Sequence, residues 1–145
     1  MNVSKIPPGF HTLTPYLLLA EPQAMIAFLE QAFDAEVKQA VRTPDGTLMH
    51  AQVQVGTSQV FLGRASGDWG ANPTMLYVYV EDCDAVYARA MEAGATSIHG
   101  PQDQPYGDRV GAVNGPEGHS FWIATHLEDL SPEELAQRMA AREGE

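Results

Sequence analysis

Apolar runs of strand length alternate with helix-like segments along most of the chain. Residues 14–19 and 75–80 are short runs rich in aromatic and aliphatic side chains, which are typical of buried strands. Each run precedes a segment with apolar residues at helical spacing, Pro22 to Phe33 in the first case and residues 83–93 in the second. The pattern predicts β-α-β-β-β in each half, with further strand-like segments at residues 37–42, 48–55 and 59–62 and at residues 109–113 and 120–124.

The second half repeats the first at a constant offset of 61 residues. The offset relates Thr14 to Met75 in the first strand and Glu21 to Asp82 at the helix start, and it holds again where each helix ends. Equal spacing at three points predicts a duplicated βαβββ unit. The fold class expected from this organisation is α+β.

One domain accounts for the length of 145 residues. We expect a first module at about residues 11–64, a linker at 65–73 that is rich in glycine, and a second module at about 74–126. A final helix at about residues 131–142 begins at Ser131, where the sequence Ser-Pro-Glu-Glu has the form of a capping box.

The charge balance narrows the possible partners. Eight Lys and Arg residues against 19 Asp and Glu residues give a net charge of −11. A nucleic-acid-binding surface needs clustered basic residues, and an anionic membrane surface also attracts them, so we expect neither partner. The single cysteine, Cys83, cannot form an internal disulfide, and the N-terminal residues lack a secretory pattern, so the expected location is the cytoplasm.

Four segments of the sequence together resemble one superfamily. They are HTLTPYL (residues 11–17), PDGTLMHA (44–51), YGDR (106–109) and GHSFWIATHLEDLSPEE (118–134). In this order and spacing they resemble the vicinal-oxygen-chelate superfamily of glyoxalases, bleomycin-resistance proteins and ring-cleaving dioxygenases, and most closely its PhnB-like branch. The resemblance implies two βαβββ modules that form a curved mixed sheet around a cleft, with the cleft binding a small molecule.

Many enzymes of that superfamily hold a divalent metal ion in the cleft. The resemblance places the ligand positions at Thr14, Met75 and Trp122, and at either Val60 or Phe61. None of these side chains is the His, Glu, Asp or Cys that such cations prefer. We therefore expect no metal ion and no other cofactor.

The alternation within residues 50–55 indicates which side chains face the cleft. Ala51, Val53 and Val55 alternate with His50, Gln52 and Gln54, and the resemblance places the polar set on the concave side. The same alternation brings aromatic side chains from the other strands to that side, which suits a flat or amphiphilic organic ligand. The predicted ligand-binding residues are Thr14, Tyr16, His50, Gln52, Phe61, Met75, Tyr77, Arg109 and Trp122.

Two of these ligand-binding residues, His50 and Arg109, have a second interpretation, and three further residues have expected positions. His50 is the candidate acid or base catalyst, and its alternative is a structural histidine bonded across the sheet. Arg109 either clamps an anionic group or fixes its own loop. We expect His119 to be exposed in a tight turn, His126 to support the turn after the last strand, and Trp69 either to cap the cleft or to lie on the surface.

The leading hypothesis is a metal-independent protein that binds a small molecule, similar in logic to the drug-sequestering members of the superfamily and, like them, a homodimer. The alternative is an isomerase or lyase that uses His50 or a rearranged metal site. A third class is a protein that only assembles with partners. The sequence leaves open whether the two modules pair within one chain or between chains.

Overall fold

The computed structural model describes residues 3–143, and within that range it confirms the α+β class with two βαβββ modules and a C-terminal helix. The first helix has the predicted bounds, residues 22–33. The second helix ends at residue 92, one residue earlier than predicted. The first module consists of β1 (Tyr16–Leu19), α1 (Pro22–Phe33), β2 (Glu36–Arg42), β3 (Leu48–Val55) and β4 (Ser58–Arg64). The second consists of β5 (Met75–Tyr79), α2 (Cys83–Glu92), β6 (Thr96–Asp103), β7 (Asp108–Asn114) and β8 (Ser120–His126), and α3 (Pro132–Glu143) follows.

Each module contributes a four-stranded mixed sheet. The strand orders are β1-β4-β3-β2 and β5-β8-β7-β6, with the first strand parallel to the last and the other pairs antiparallel. Tyr16 pairs with Phe61, and Tyr77 pairs with Trp122 at the equivalent point. Phe61 is therefore the counterpart of Trp122, whereas Val60 points into the core and is buried.

The helix-covered faces of the two sheets meet in one hydrophobic core. Helix α1 packs on β3 and β4, α2 packs on the second sheet, and the two helices contact each other. Phe121 of β8 lies between the modules, with its ring centroid 5.2 Å from that of Phe28 and 5.6 Å from that of Phe33. The same cluster includes Leu17 and Leu19 of β1. This packing fixes how the modules sit within one chain.

The turn between β7 and β8 adds polar contacts between the modules. The Glu117 carboxylate accepts hydrogen bonds from the backbone N–H groups of Ala20 (2.7 Å) and Glu21 (2.9 Å). The prediction that His119 is exposed is wrong, because only 1% of its surface is accessible. Its Nδ1 accepts a hydrogen bond from the backbone N–H of Thr74, and burial lowers the pKa of the imidazole. This histidine therefore joins the turn to the start of β5.

The opposite faces of the two sheets carry no helix, and we call them the first and second open faces. The first open face carries Tyr16, Leu18, His50, Gln52 and Phe61, and the second carries Met75, Tyr77, Tyr79, Asp108 and Trp122. Among residues 3–143, no hydrogen bond and no aromatic contact joins one open face to the other. Within one chain the helix-covered faces meet and the open faces do not.

The C-terminal helix begins as the capping pattern predicts. The Ser131 hydroxyl accepts a hydrogen bond from the backbone N–H of Glu134 at 3.1 Å, which satisfies one of the free donors of the first turn. Arg138 of α3 forms a salt bridge with Glu128. In the part of the chain described here, no helix is long and apolar enough to cross a membrane.

Candidate functional site

The first open face is built around three rings that the sequence predicted to lie together. The ring centroids of Tyr16 and Phe61 are 5.8 Å apart, those of Tyr16 and His50 are 5.8 Å apart, and those of His50 and Phe61 are 5.2 Å apart. Gly63 permits this arrangement, because a Cβ there would lie 2.7 Å from the Tyr16 ring. The three rings form a continuous aromatic surface.

Three amides extend this surface toward the β3–β4 turn. Gln52 donates from Nε2 to Oε1 of Gln59 at 2.9 Å, and Gln59 donates in turn to Oε1 of Gln54 at 3.2 Å. Gln59 is buried, and sequence analysis did not single it out. The alternation of β4, which places Gln59 on the same face as Phe61, was the signal available for it.

A hollow of about 450 Å³ lies beside the aromatic rings of the first open face. Trp69 borders it from the segment between the modules, and 70% of the Trp69 surface is accessible. The backbone of Trp69 is fixed by two hydrogen bonds with Ser66. Tyr16, Leu18 and Arg64 complete the wall. The hollow has the volume of a small-molecule site and is lined by side chains of mixed character.

The second open face carries the other predicted aromatic residues. Trp122 packs edge-on against His99, with ring centroids 5.4 Å apart. Tyr77 and Tyr79 pack against each other at 5.3 Å. Met75 lies at the start of β5 and is 61% exposed. This face therefore offers a second aromatic surface, which is open to solvent in a single chain.

At one end of the second open face, a buried carboxylate is surrounded by hydroxyl groups and an imidazole. Asp108 is 3% exposed, and its Oδ2 accepts hydrogen bonds from the Tyr77 hydroxyl at 2.7 Å and the Tyr79 hydroxyl at 2.8 Å. Its Oδ1 lies 2.8 Å from Nδ1 of His126, and Nε2 of that ring lies 2.7 Å from Asp129. We call these residues the Asp108 cluster. Sequence analysis considered Arg109 of this segment and missed Asp108.

The hydrogen bonds of the Asp108 cluster shift the pKa of each member. Burial of the Asp108 carboxyl raises its pKa, but the bonds from His126, Tyr77 and Tyr79 outweigh burial and leave the pKa below its ordinary value. Burial raises the pKa of Tyr77, and the bond to Asp108 raises that of Tyr79. Hydrogen bonds to Asp108 and Asp129 raise the pKa of His126. These shifts favour an ionised carboxylate, two neutral phenols and the protonated form of the imidazole.

Replacing His126 with glutamine is expected to cost more stability near pH 5.5 than near pH 9. Because the pKa of His126 is raised in the folded chain, its contribution is complete below the unfolded value of about 6.5 and is lost as the pH rises through the folded pKa. Urea unfolding of wild type and H126Q at both pH values measures this difference. His11→Gln, a change in the exposed N-terminal segment, is the control and should show no such pH dependence. A wild type–H126Q difference that is equal at the two pH values would contradict the assigned charge state.

Arg109 lies apart from the other predicted ligand residues. Its Nε donates to Asp84 at 2.9 Å and its Nη1 donates to Asp103 at 2.9 Å, and these two bonds raise its pKa. Alternation along β7 places Arg109 on the side opposite Asp108, near α2. The geometry thus agrees with the loop-fixing interpretation.

His50 and Thr14 lie where the alternation places them. The His50 ring contacts Tyr16 and Phe61, and within residues 3–143 its nitrogens have no hydrogen-bond partner. The structural alternative, a bond across the sheet, is therefore not what the structure contains. Thr14 is half-buried just before β1.

The residues at the metal-ligand positions of the resemblance do not fit a divalent cation. With the register resolved, these positions are Thr14, Phe61, Met75 and Trp122, which offer one hydroxyl and one thioether. In the described part of the chain, no three His, Cys, Asp or Glu side chains are grouped to hold a metal ion.

A second cavity, of about 540 Å³, lies between the modules at the free edge of β5. Its walls include the core side chains Leu17, Leu29 and Phe121, and half-buried Leu76 and Val78. Ligand sites combine apolar walls with a few convergent polar groups. The polar residues Thr57, Ser58 and Glu81 also line this cavity. We assign the candidate site to the open faces because the grouped aromatic rings and amides lie there.

Comparisons with known proteins agree with this architecture. An uncharacterized protein of Mycobacterium bovis is 30% identical over 141 residues, which cover 90% of this chain and 93% of that protein. Among solved structures, TioX from Micromonospora sp. ML1 has a TM-score of 0.69 at 26% identity, with 81% of this chain and 99% of that chain covered. A PhnB protein from Bacillus cereus, described as a putative 3-demethylubiquinone-9 3-methyltransferase, shares the fold with a TM-score of 0.63 at 18% identity over 79% of this chain and 99% of its own.

The profile of one family matches most of the sequence. It is the Glyoxalase/Bleomycin resistance protein/Dioxygenase superfamily, and the match covers residues 11–123. The matched range contains the first βαβββ module and the second as far as the middle of β8. The chain belongs to the glyoxalase/bleomycin resistance protein/dioxygenase superfamily.

Proposed function

We propose that this protein binds a small aromatic or amphiphilic molecule without a metal ion, in a cleft formed between two copies of the chain. The observation that carries the proposal is the pair of open faces, each lined by aromatic side chains and each open over most of its area in a single chain. On the first open face, Phe10 of the N-terminal segment packs against Phe61, with ring centroids 5.6 Å apart. In a homodimer the first open face of one copy would lie against the second open face of the other. Two equivalent clefts would result.

The exposed apolar surface supports a second copy as the covering element. Tyr16 is 51% exposed, Met75 61% and Tyr79 62%, although all three project from sheets. Monomeric proteins rarely expose contiguous apolar patches of this kind. Because the two modules are copies of one unit, pairing of first face with second face is satisfied twice by one twofold axis. A single chain cannot pair these faces without breaking the contacts of Phe121 with α1.

The side chains of the open faces favour a flat ligand. Tyr16, Phe61, Tyr77 and Trp122 supply ring surfaces, and Gln52 supplies an amide that fixes orientation. Stacking between rings and a few hydrogen bonds is the usual way in which proteins hold such molecules. The net charge of −11 disfavours nucleic acid as the ligand, and the cytoplasm remains our proposed location.

An isomerase or lyase that uses His50 is the second candidate. Its supporting observation is that the His50 ring lies on the first open face and that no residue among 3–143 hydrogen-bonds its nitrogens. Catalytic histidines are normally oriented by a hydrogen bond from the second ring nitrogen to a carboxylate or carbonyl. No described group performs that role for His50, so binding without turnover is the better-supported function.

Titration of a Trp69→Phe variant with planar aromatic compounds tests the proposed function. Trp122 is then the only tryptophan, and its fluorescence should change in a saturable way with one ligand per chain. We expect a Kd of about 1–100 µM for a simple naphthyl probe, because such a probe fills part of the site only. Addition of EDTA should leave this affinity unchanged.

A Trp122→Phe variant, which retains Trp69, reports on the other side of the cleft. Its fluorescence should also change in a saturable way, because Trp69 borders the hollow beside the first open face. Absence of a saturable change with every probe at millimolar concentration would refute the proposal and favour a protein that only assembles with partners.

A further inference from the structure

The Asp108 cluster determines which hydrogen-bonding groups the second open face presents. Asp108 is an acceptor on both oxygens, so the protons of the Tyr77 and Tyr79 hydroxyls point at Oδ2. Each phenol oxygen then has only lone pairs left for a further donor, and for Tyr77 the Tyr106 hydroxyl lies 3.5 Å away. At this end of the face, the two hydroxyls are acceptors that require a donor.

The neighbouring aromatic rings and charged groups also favour a positively charged donor. Tyr77 and Tyr79 are 39% and 62% exposed, and the faces of their rings attract cations. The imidazole of His126 lies between two carboxylates, Asp108 and Asp129, so these three groups together keep at least one negative charge even when the imidazole is protonated.

The nearby arginines are already paired. Arg109 is bound to Asp84 and Asp103, and Arg138 is bound to Glu128. The exposed surface of the Asp108 cluster therefore combines acceptor oxygens, ring faces and an uncompensated negative charge.

We propose that the second open face recognises a protonated amine or guanidinium on its ligand, held against the Tyr77 and Tyr79 oxygens above Asp108. This inference rests on the proposed small-molecule function and adds the charge of the ligand to it. An N–H donor with a positive charge satisfies the phenol oxygens and the ring faces at once, and the buried carboxylate strengthens both through the phenol hydrogen bonds.

Three naphthyl compounds that differ in one substituent test the charge preference in the wild-type protein. They are 1-naphthylmethylammonium, 1-naphthylmethanol and 1-naphthoate, which are cationic, neutral and anionic near pH 7. We expect the cation to bind about tenfold more tightly than the alcohol and the anion to bind more weakly than both. Calorimetry at fixed ionic strength gives the three constants.

The variant Asp108→Asn tests whether the preference for the cationic compound arises at the Asp108 cluster. The amide keeps the shape of the carboxyl and removes its charge, so the tenfold advantage of the cation over the alcohol should fall to about twofold or less. Asp103→Asn makes the same formal charge change beside Arg109, away from the tyrosines, and should keep the wild-type ratio. If D108N does not fold, Tyr79→Leu at an exposed position serves instead and should reduce the ratio several-fold.

The possible outcomes distinguish a failure of the cation inference from a failure of the proposed small-molecule binding. If none of the three compounds binds, the proposed function fails. If they bind with equal affinity, or the anion binds best, the site exists and the cation inference is overturned. A cation preference that D108N and D103N reduce equally would reflect the overall negative charge of the protein and would also overturn the assignment to this cluster.

Discussion

Replacing Phe121 with alanine is expected to lower the free energy of unfolding by about 3–5 kcal/mol. The Phe121 ring is 1% exposed and lies against Phe28 and Phe33 of the other module. Its removal leaves a cavity where the two modules meet, and the helices on either side are held by other contacts and cannot close over it. Few single substitutions in this chain should cost more.

Urea unfolding at one fixed protein concentration measures this loss, since association would make stability depend on concentration. Leu135→Ala is the control: it truncates an apolar side chain that is 37% exposed on α3, and it should cost less than about 1 kcal/mol. A loss for F121A no larger than that for L135A would show that the modules are not held together through Phe121.

Features encoded by local periodicity could be predicted from the sequence. Helix α1 runs from Pro22 to Phe33 as predicted, because its apolar spacing and its initial proline are both local signals. The offset of 61 residues between the modules also holds in three dimensions, where Tyr16 with Phe61 and Tyr77 with Trp122 occupy equivalent positions. Alternation within β3 placed His50 on the face that the structure leaves open.

The burial of polar side chains could not be predicted in this way, because it depends on partners that are distant in sequence. Asp108 is buried by two tyrosines from β5 and by His126 from the end of β8. The ring of the buried His119 is hydrogen-bonded by Thr74, which lies 45 residues away in the sequence. An aspartate before an arginine, as at Asp108, carries no local sequence signal that identifies such distant partners. The same holds for a histidine after a glycine, as at His119.

The relative placement of the modules depends on the same kind of long-range contact. Both helix-covered faces are apolar by periodicity, and so are large parts of the open faces, so the sequence permits either pair of faces to meet within one chain. The rings of Phe28, Phe33 and Phe121 decide between them, because together they fill the space between the helix-covered faces. The open faces therefore do not meet within one chain.

Replacing Met75 with glutamate is expected to convert a dimeric wild type into a monomer at micromolar concentration. Met75 is exposed in the single chain, so the change should leave the fold intact, but pairing of the open faces would bury the new charge. Burying an unpaired carboxylate costs at least about 3 kcal/mol, which weakens association about 100-fold or more. Sedimentation velocity across a range of concentrations measures the dissociation constant.

Met91→Glu introduces the same residue on α2, away from both open faces, and should remain dimeric. A wild type that is monomeric at every concentration tested, or an M75E variant that dimerises normally, would refute pairing through the open faces.

Mixing two defective chains tests whether each cleft contains both open faces. Tyr16→Glu damages the first open face and Met75→Glu damages the second, so neither variant alone can form an intact pair of faces. In a heterodimer of the two, the undamaged first face of the M75E chain meets the undamaged second face of the Y16E chain, and one of two clefts is complete. At chain concentrations above the raised dissociation constant of the M75E variant, where the variant chains still associate, we expect the mixture to recover saturable naphthyl binding at up to one site per heterodimer. If each cleft lay within one chain, mixing would recover none, since both kinds of chain would keep their own defect.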